Sequence, residues 1–176
     1  MTTDNQIAKP SVGAVFYRCA LQVNPHDYAQ NFRGQASATN AADYARTVVD
    51  KAVELGISVL AVTDHNDVSS VPAFREAAKS RGVHVFPGFE LSSSEGVHVL
   101  CIYPPESSTD QLGRYLGSFG ITTTTPSSQL AAKGFADILH DVRDQGGVAI
   151  AAHATSDQGG LLKVMKGQPR IHAWRC

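Results

Sequence analysis

Ile57-Ser-Val-Leu-Ala-Val62-Thr-Asp64-His65-Asn66-Asp67 is the stretch that decides the fold, a short apolar run that passes directly into an acid, an imidazole, an amide and a second acid. Apolar residues without polar alternation mark a strand covered on both faces, as in a parallel sheet. Upstream, Ala41 to Leu55 sets Ala45, Val48, Val49, Ala52, Val53 and Leu55 at helical spacing, and Gly56 supplies the stop. Downstream, a helix is expected from Ser69 or Ser70, with a serine hydroxyl as cap and Pro72 in the first turn, to Ser80 before Gly82. Val83 to Phe86 is again strand-like, so strand, helix and strand alternate.

The alternation continues outward. Val15 to Val23 (VFYRCALQV) predicts a strand stopped at Asn24-Pro25, followed by a polar loop from Gln30 to Asn40. Phe89 to Ser92 and Val97 to Tyr103 flank Ser93-Ser-Glu-Gly96, the pattern of a hairpin. Helices are expected from Asp110 to Leu116 and from Gln129 to Gln145, with a polar loop from Thr122 to Ser128 between them. Val148 to Ala152 repeats the buried-strand pattern and ends at His153, and a short helix at Leu161 to Met165 and a short strand at Arg170 to Trp174 follow. Such alternation gives an α/β fold with a mostly parallel sheet, either doubly wound or closed as a barrel. In both architectures chemistry collects at the carboxyl ends of the strands.

Composition narrows the class further. The 176 residues suffice for one domain with a real core, and 43% apolar with 18% charged residues is ordinary globular usage. A net charge of −1 provides no global basic field for a nucleic-acid backbone, so any such substrate would be gripped locally. The three cysteines, Cys19, Cys101 and Cys176, make an odd count suited to a reducing cytoplasm. Residues 1–12 read as a flexible polar tail without signal-peptide character, and no stretch has the length of a membrane span. There is no phosphate-cradling G-x-x-x-x-G-K-[ST] loop, G-x-G-x-x-G turn, G-x-S-x-G elbow or C-x-x-C pair.

Against that background the histidines are unevenly placed. His65 ends one apolar strand, His153 ends another, and Glu90 closely follows a third. If the hairpin centres on Ser94, Glu90 and His98 stand directly opposite each other, about 5 Å apart at their Cβ atoms. Imidazoles with a carboxylate suit Zn²⁺, Mn²⁺ or Fe²⁺, since neutral imidazole donates a lone pair and the carboxylate offsets cation charge. Each member also has a plainer reading: Glu90 as a surface residue beside a turn, His98 as a satisfied strand histidine, and Asp64, Asn66 and Asp67 as caps of the following helix. An imidazole closing a buried apolar strand needs a polar partner, which favours His65 and His153 as members of a site. His84 and His140 fit structural or solvated positions, His172 is uncommitted, and Ser92-Ser93-Ser94 fits a turn.

At these residues the chain resembles the PHP family, named for its polymerase-associated and histidinol phosphatase members. The resemblance is carried by Glu54-Leu-Gly56, Ala61-Val-Thr-Asp-His65-Asn66-Asp67, Phe86-Pro-Gly-Phe-Glu90-Leu-Ser92, Gly96-Val-His98-Val-Leu100 and Gly146-Gly-Val-Ala-Ile-Ala-Ala-His153. It implies a distorted seven-stranded βα barrel whose residues hold two or three divalent metal ions and hydrolyse phosphate esters with a metal-activated water. Carried over by position, His65, Glu90, His98 and His153 are expected metal ligands, and Asp64 joins His65 in catalysis as a positioning carboxylate. The expected substrates are a phosphorylated small molecule or a nucleic-acid end.

Two departures modify that expectation. The family's His-x-His pair is here Gln22-Val-Asn24, with Ala20 where an acid is often found and His26 displaced by two residues. Amides are weak ligands beside imidazole, so Gln22, Asn24 and His26 form a degenerate first motif and fewer metals are expected. The chain also stops at Cys176, before the family's last strands and terminal Asp-x-His motif, so residues 13–176 are expected to form an incomplete (β/α)7 barrel with one hairpin. An open edge of that kind favours a homo-oligomer. The stretches around Arg18 to Gln22 and Arg170 to Arg175 resemble PHP domains fused to an ATPase-like region, and the alternative function is a non-catalytic module that binds nucleotide or regulates such an ATPase.

Overall fold

In the computed structural model, which describes residues 16–26, 40–122 and 127–166, five strands form one curled sheet in the order β1 (Cys19–Val23), β2 (Val59–His65), β3 (His84–Ser92), β4 (His98–Ile102) and β5 (Val148–Ala151). The pairs β1–β2 and β2–β3 are parallel, whereas β3–β4 and β4–β5 are antiparallel. Four strands therefore run one way and only β4 is reversed. This α/β half-barrel is the incomplete barrel expected, and its consequence is topological: the ends of β1, β2, β3 and β5 and the start of β4 meet at one rim.

Helices cover the convex face. α1 (Ala41–Glu54) starts at Asn40, whose side chain accepts the Asp43 N–H at 2.9 Å, and buries Ala45, Val49 and Ala52 as a single stripe. It ends where Gly56 adopts φ +66°, a conformation that favours glycine. With α2 (Val71–Ala78) it packs Phe74 and Val71 against Leu60, Val62 and Val85. α3 (Thr109–Ser118) and α4 (Phe135–Asp144) bury Leu112, Leu116, Ile138 and Val142 against Phe89, Val99 and Cys101. A one-turn α5 (Leu161–Val164) closes the described chain. The strands alternate as a half-covered sheet must: Leu60, Val62 and Phe89 face the helices, while Ala61, Leu100 and Ile102 face the concave side.

Four local expectations are corrected. The chain does not break at Pro87-Gly88, and His84–Ser92 form one nine-residue strand. The Pro87 carbonyl accepts the Tyr103 N–H at 2.9 Å, and Gly88 lets the adjacent strand approach. The hairpin centres on Glu95 rather than Ser94, so Glu90 pairs with Leu100 and His98 with Ser92. The helix expected from Gln129 begins only at Phe135, because Leu130 bridges to Ser92 and the bent segment after it is bonded to the hairpin. Ala131 N donates to Ser92 O at 2.7 Å and Ser94 N to Lys133 O at 2.9 Å, and Glu95 Oε2 then accepts the Phe135 N–H at 3.0 Å at the start of α4. The Ser70 hydroxyl makes no cap bond, although Pro72 does occupy the first turn of α2.

At the rim opposite the histidines, Cys19, Leu21, Val59, Phe86, Val148 and Ile150 line an apolar groove of about 560 Å³ on the concave side. No described helix is long and apolar enough to cross a membrane. The tail over residues 1–12, most of the loop before Asn40, and the strand expected at Arg170 to Trp174 with His172 lie outside the described residues.

Candidate metal centre

Glu90 is the centre of the rim. It is 1% exposed, lies near the end of β3 on the concave face, and pairs with His65 of β2 in parallel register. His98 sits two residues before Leu100, the cross-strand partner of Glu90, and so reaches the same carboxylate diagonally across the hairpin. His153 follows β5 with φ +31°, a left-handed conformation uncommon outside glycine, and Ser156 N donates to its carbonyl at 2.7 Å.

The two oxygens of Glu90 face different groups. Oε1 is 3.2 Å from His98 Nδ1 and 3.6 Å from His153 Nε2, and those two nitrogens are themselves 3.2 Å apart. Oε2 is 3.3 Å from His65 Nδ1 and accepts the Gln22 Nε2–H at 2.8 Å. The structure thus brings together His65, Glu90, His98 and His153, with Gln22 from the degenerate motif. They open on a polar cavity of about 430 Å³, lined also by Asn24, Ser156 and Gln158.

The outlying candidates fall elsewhere. Asp64 is paired with outward-facing Phe89, so its strand position lies on the opposite face from His65, and its Oδ1 accepts the His65 N–H at 2.7 Å. His26 sets its ring against Tyr44 at 5.9 Å and does not line the cavity. The Asn66 amide, at φ +56°, donates to Ser127 O and Gln129 O and ties that loop to the rim. Asp67 Oδ1 accepts from Val68 N and Ser69 N, ahead of α2, so it orders the turn before the helix and does not cap the helix as expected. His84 and His140 are exposed and outside the cavity, as expected. The Ser93 hydroxyl accepts the Val97 N–H within the turn.

The distances among the donor atoms test whether the cluster suits a cation. Donors about 2.1 Å from a tetrahedrally coordinated ion lie about 3.4 Å from one another. The three separations among Glu90 Oε1, His98 Nδ1 and His153 Nε2 are 3.2, 3.2 and 3.6 Å. Glu90 Oε1 is also buried and accepts no hydrogen bond of good geometry, so the nearby imidazoles do not satisfy it. An orphaned buried carboxylate oxygen costs free energy that a cation would recover. Among the described residues, His65, Glu90 and His98 offer ligand atoms within 4.8 Å of each other.

Electrostatics agree. Burial works against ionised Glu90, but the His98 imidazole, the His65 ring and the Gln22 amide outweigh it, and the carboxyl stays below its ordinary 4.5. His65 lies below its ordinary 6.5, chiefly through burial, with Glu90 opposing and His98 and His153 adding to the effect. A histidine held below its unfolded value is protonated first in the unfolded chain, so stability falls as pH drops from 6.5 toward the folded value. Glu90 adds stability above 4.5 that is lost at lower pH. With chelator present, the thermal midpoint should decline from about pH 7 to about pH 5, and His65→Asn should flatten that decline. An unchanged slope in the variant would remove His65 from the account.

Ser156, Gln158 and Gly159 were missed by the sequence reading; the only available signal was a small and polar run directly after a strand-ending histidine. Gly159 matters most. Its carbonyl accepts the His98 N–H at 2.9 Å, its φ is +66°, and a Cβ there would lie 2.3 Å from His98 Cδ2. Gly159→Ala is expected to displace the imidazole and weaken divalent-metal affinity by about tenfold to a hundredfold with little change in circular dichroism. Titration calorimetry giving unchanged affinity would show that the loop does not position His98.

Comparison with known proteins places these observations. The PHP domain profile matches residues 32–142. Over 62 residues the chain is 37% identical to the 5′-3′ exoribonuclease Rnm of Salmonella typhimurium strain LT2, covering 32% of this chain and 21% of that protein. The chain therefore spans about a fifth of that relative's length. Among solved structures, Endonuclease Q in complex with a 27-mer duplex bearing an abasic lesion superposes with a TM-score of 0.56 at 15% identity, over 84% of this chain and 37% of that one. An amidohydrolase from Chromobacterium violaceum gives 0.47 at 17% identity, over 77% and 66%.

Proposed function

Because the chain belongs to the PHP domain family, we propose that it is a metal-dependent phosphoesterase acting on phosphomonoesters or on phosphodiesters of nucleotides and oligonucleotides. The observation that carries this reading is the buried Glu90 oxygen held 3.2 and 3.6 Å from two imidazole nitrogens at the mouth of an open polar cavity. Glu90, His98 and His153, with His65 beside them, would hold the divalent ion, for which Zn²⁺, Mn²⁺ and Fe²⁺ all suit the donor set. When bound, such an ion supplies Lewis acidity toward phosphate oxygens and makes hydroxide accessible near neutral pH.

The chain's own residues supply the rest. Burial keeps His65 neutral, so it presents a lone pair rather than a competing charge. Asp64 accepts the His65 backbone N–H and fixes the end of β2, a positioning role. Asn24, Ser156 and Gln158 offer amide and hydroxyl groups around the cavity that can donate to phosphate oxygens without a strong positive field. Local kinship with an exoribonuclease favours an oligonucleotide end within the substrate class.

The test is a panel of an aryl phosphomonoester, an aryl phosphodiester and a 5′-labelled oligoribonucleotide with Mn²⁺ or Zn²⁺. Turnover of at least one, lost with chelator and with His98→Ala, is expected; turnover indifferent to both would refute the assignment. A second reading is favoured by the Gln22–Glu90 hydrogen bond, which involves a carboxylate oxygen that could otherwise serve a metal. On that reading the chain is a non-catalytic module that binds nucleotide or regulates an attached ATPase, and the panel would yield nucleotide binding without hydrolysis.

A further inference from the structure

We propose that the Gln22 side-chain amide takes the place of a cation against Glu90, so that this chain holds a single divalent ion, at Glu90 Oε1, His98 and His153, and not a multinuclear cluster. The inference rests on the metal-centre reading above and specifies its occupancy.

The two halves of the Glu90 carboxylate are chemically unlike. Around Oε1 the neighbours are His98 Nδ1 and His153 Nε2, which become lone-pair donors when neutral. Around Oε2 the nearest neighbour is Gln22 Nε2, at 2.8 Å. An amide nitrogen carries two hydrogens and no available lone pair, so it cannot ligate a metal. Its orientation is fixed by its partner: turning the amide would set its oxygen against an anionic oxygen, which is repulsive. The partial positive charge of the N–H therefore occupies the position at which a cation would bind Oε2.

The backbone shows how Gln22 is aimed there. Ala20 and Val23 both pack into the helix-side core although they are three residues apart, which regular strand alternation forbids. The register between β1 and β2 shifts between Ala20 and Val23, advancing three residues on β1 against two on β2. This bulge carries Leu21 and Gln22 together toward the concave side, Leu21 to the apolar groove and Gln22 to the cavity. Gln22 is itself exposed, so substitutions there should leave the core intact.

The experiment counts ions. The chain and the variants Gln22→Glu and Gln22→His are titrated with Mn²⁺ and with Zn²⁺ by calorimetry, and bound metal is measured after gel filtration. Circular dichroism checks the fold of each variant. One ion per chain is expected for the natural sequence and two for either variant that folds, because each exchanges an N–H for a ligand atom beside Oε2. Two ions in the natural chain, or one in the folded variants, would overturn the Gln22 assignment while leaving a metal centre standing. No ion in the natural chain would overturn this inference and the metal-centre reading together.

Discussion

Glu90→Gln is expected to weaken divalent-metal binding by more than about 100-fold while leaving the fold intact. The lower bound follows from the tenfold to hundredfold typical of residues that merely orient metal ligands. Glu90 does more, because both its oxygens contact site groups and, among the described residues, its carboxylate is the anion set between the three imidazoles. Glutamine is nearly isosteric, so β3 should keep its place; what is lost is the charge and one of the two acceptor oxygens, which becomes a donating NH2. Calorimetric titration of the variant with Mn²⁺ and Zn²⁺ checks it, and affinity within about threefold of the natural chain would contradict the role.

Gly88→Ala is the largest effect expected on stability. Gly88 lies in the interior of the sheet, where an added Cβ would sit 2.4 Å from the Cys101 carbonyl oxygen and 3.1 Å from Thr63 Cγ2. The first clash is with the backbone of the neighbouring strand, so no side-chain rotation relieves it. Parting β3 from β4 also disturbs Glu90, two residues on, and the diagonal that joins it to His98. A loss of about 3 kcal/mol is expected in urea unfolding, at the upper end for overpacked interiors. Loss below about 0.5 kcal/mol would mean that the strands separate more easily than their pairing suggests.

Much of the architecture was legible because it depends on local pattern. The apolar runs at residues 57–62 and 148–152 and the helical stripe of Ala45, Val49 and Ala52 specify the βα alternation without tertiary information. His65, Glu90 and His153 could be grouped because a parallel sheet places strand ends at one rim, a rule of topology. His98 reaches Glu90 even though the hairpin centres on Glu95 and not Ser94, since a shift of two residues along a strand preserves the face.

What was not legible depended on long-range contacts. Pro87-Gly88 looks like a break, yet the carbonyl of Pro87 and the bare Cα of Gly88 are what allow β4 to dock. Residues 129–134 have helical spacing, but Ser92 and Ser94 of the hairpin bond the segment outside any helix, and propensity yields to those bonds. The Gln22–Glu90 hydrogen bond spans 68 residues and depends on a bulge that no single-strand pattern reveals. Gly159 likewise becomes important only when its loop is laid against His98.

The most direct measurement is anomalous diffraction from crystals of the chain grown with Mn²⁺ or Zn²⁺. A peak about 2.1 Å from Glu90 Oε1, His98 Nδ1 and His153 Nε2 is the predicted result. Full-occupancy metal bound elsewhere, or these three side chains splayed beyond reach of a common ion, would contradict the account.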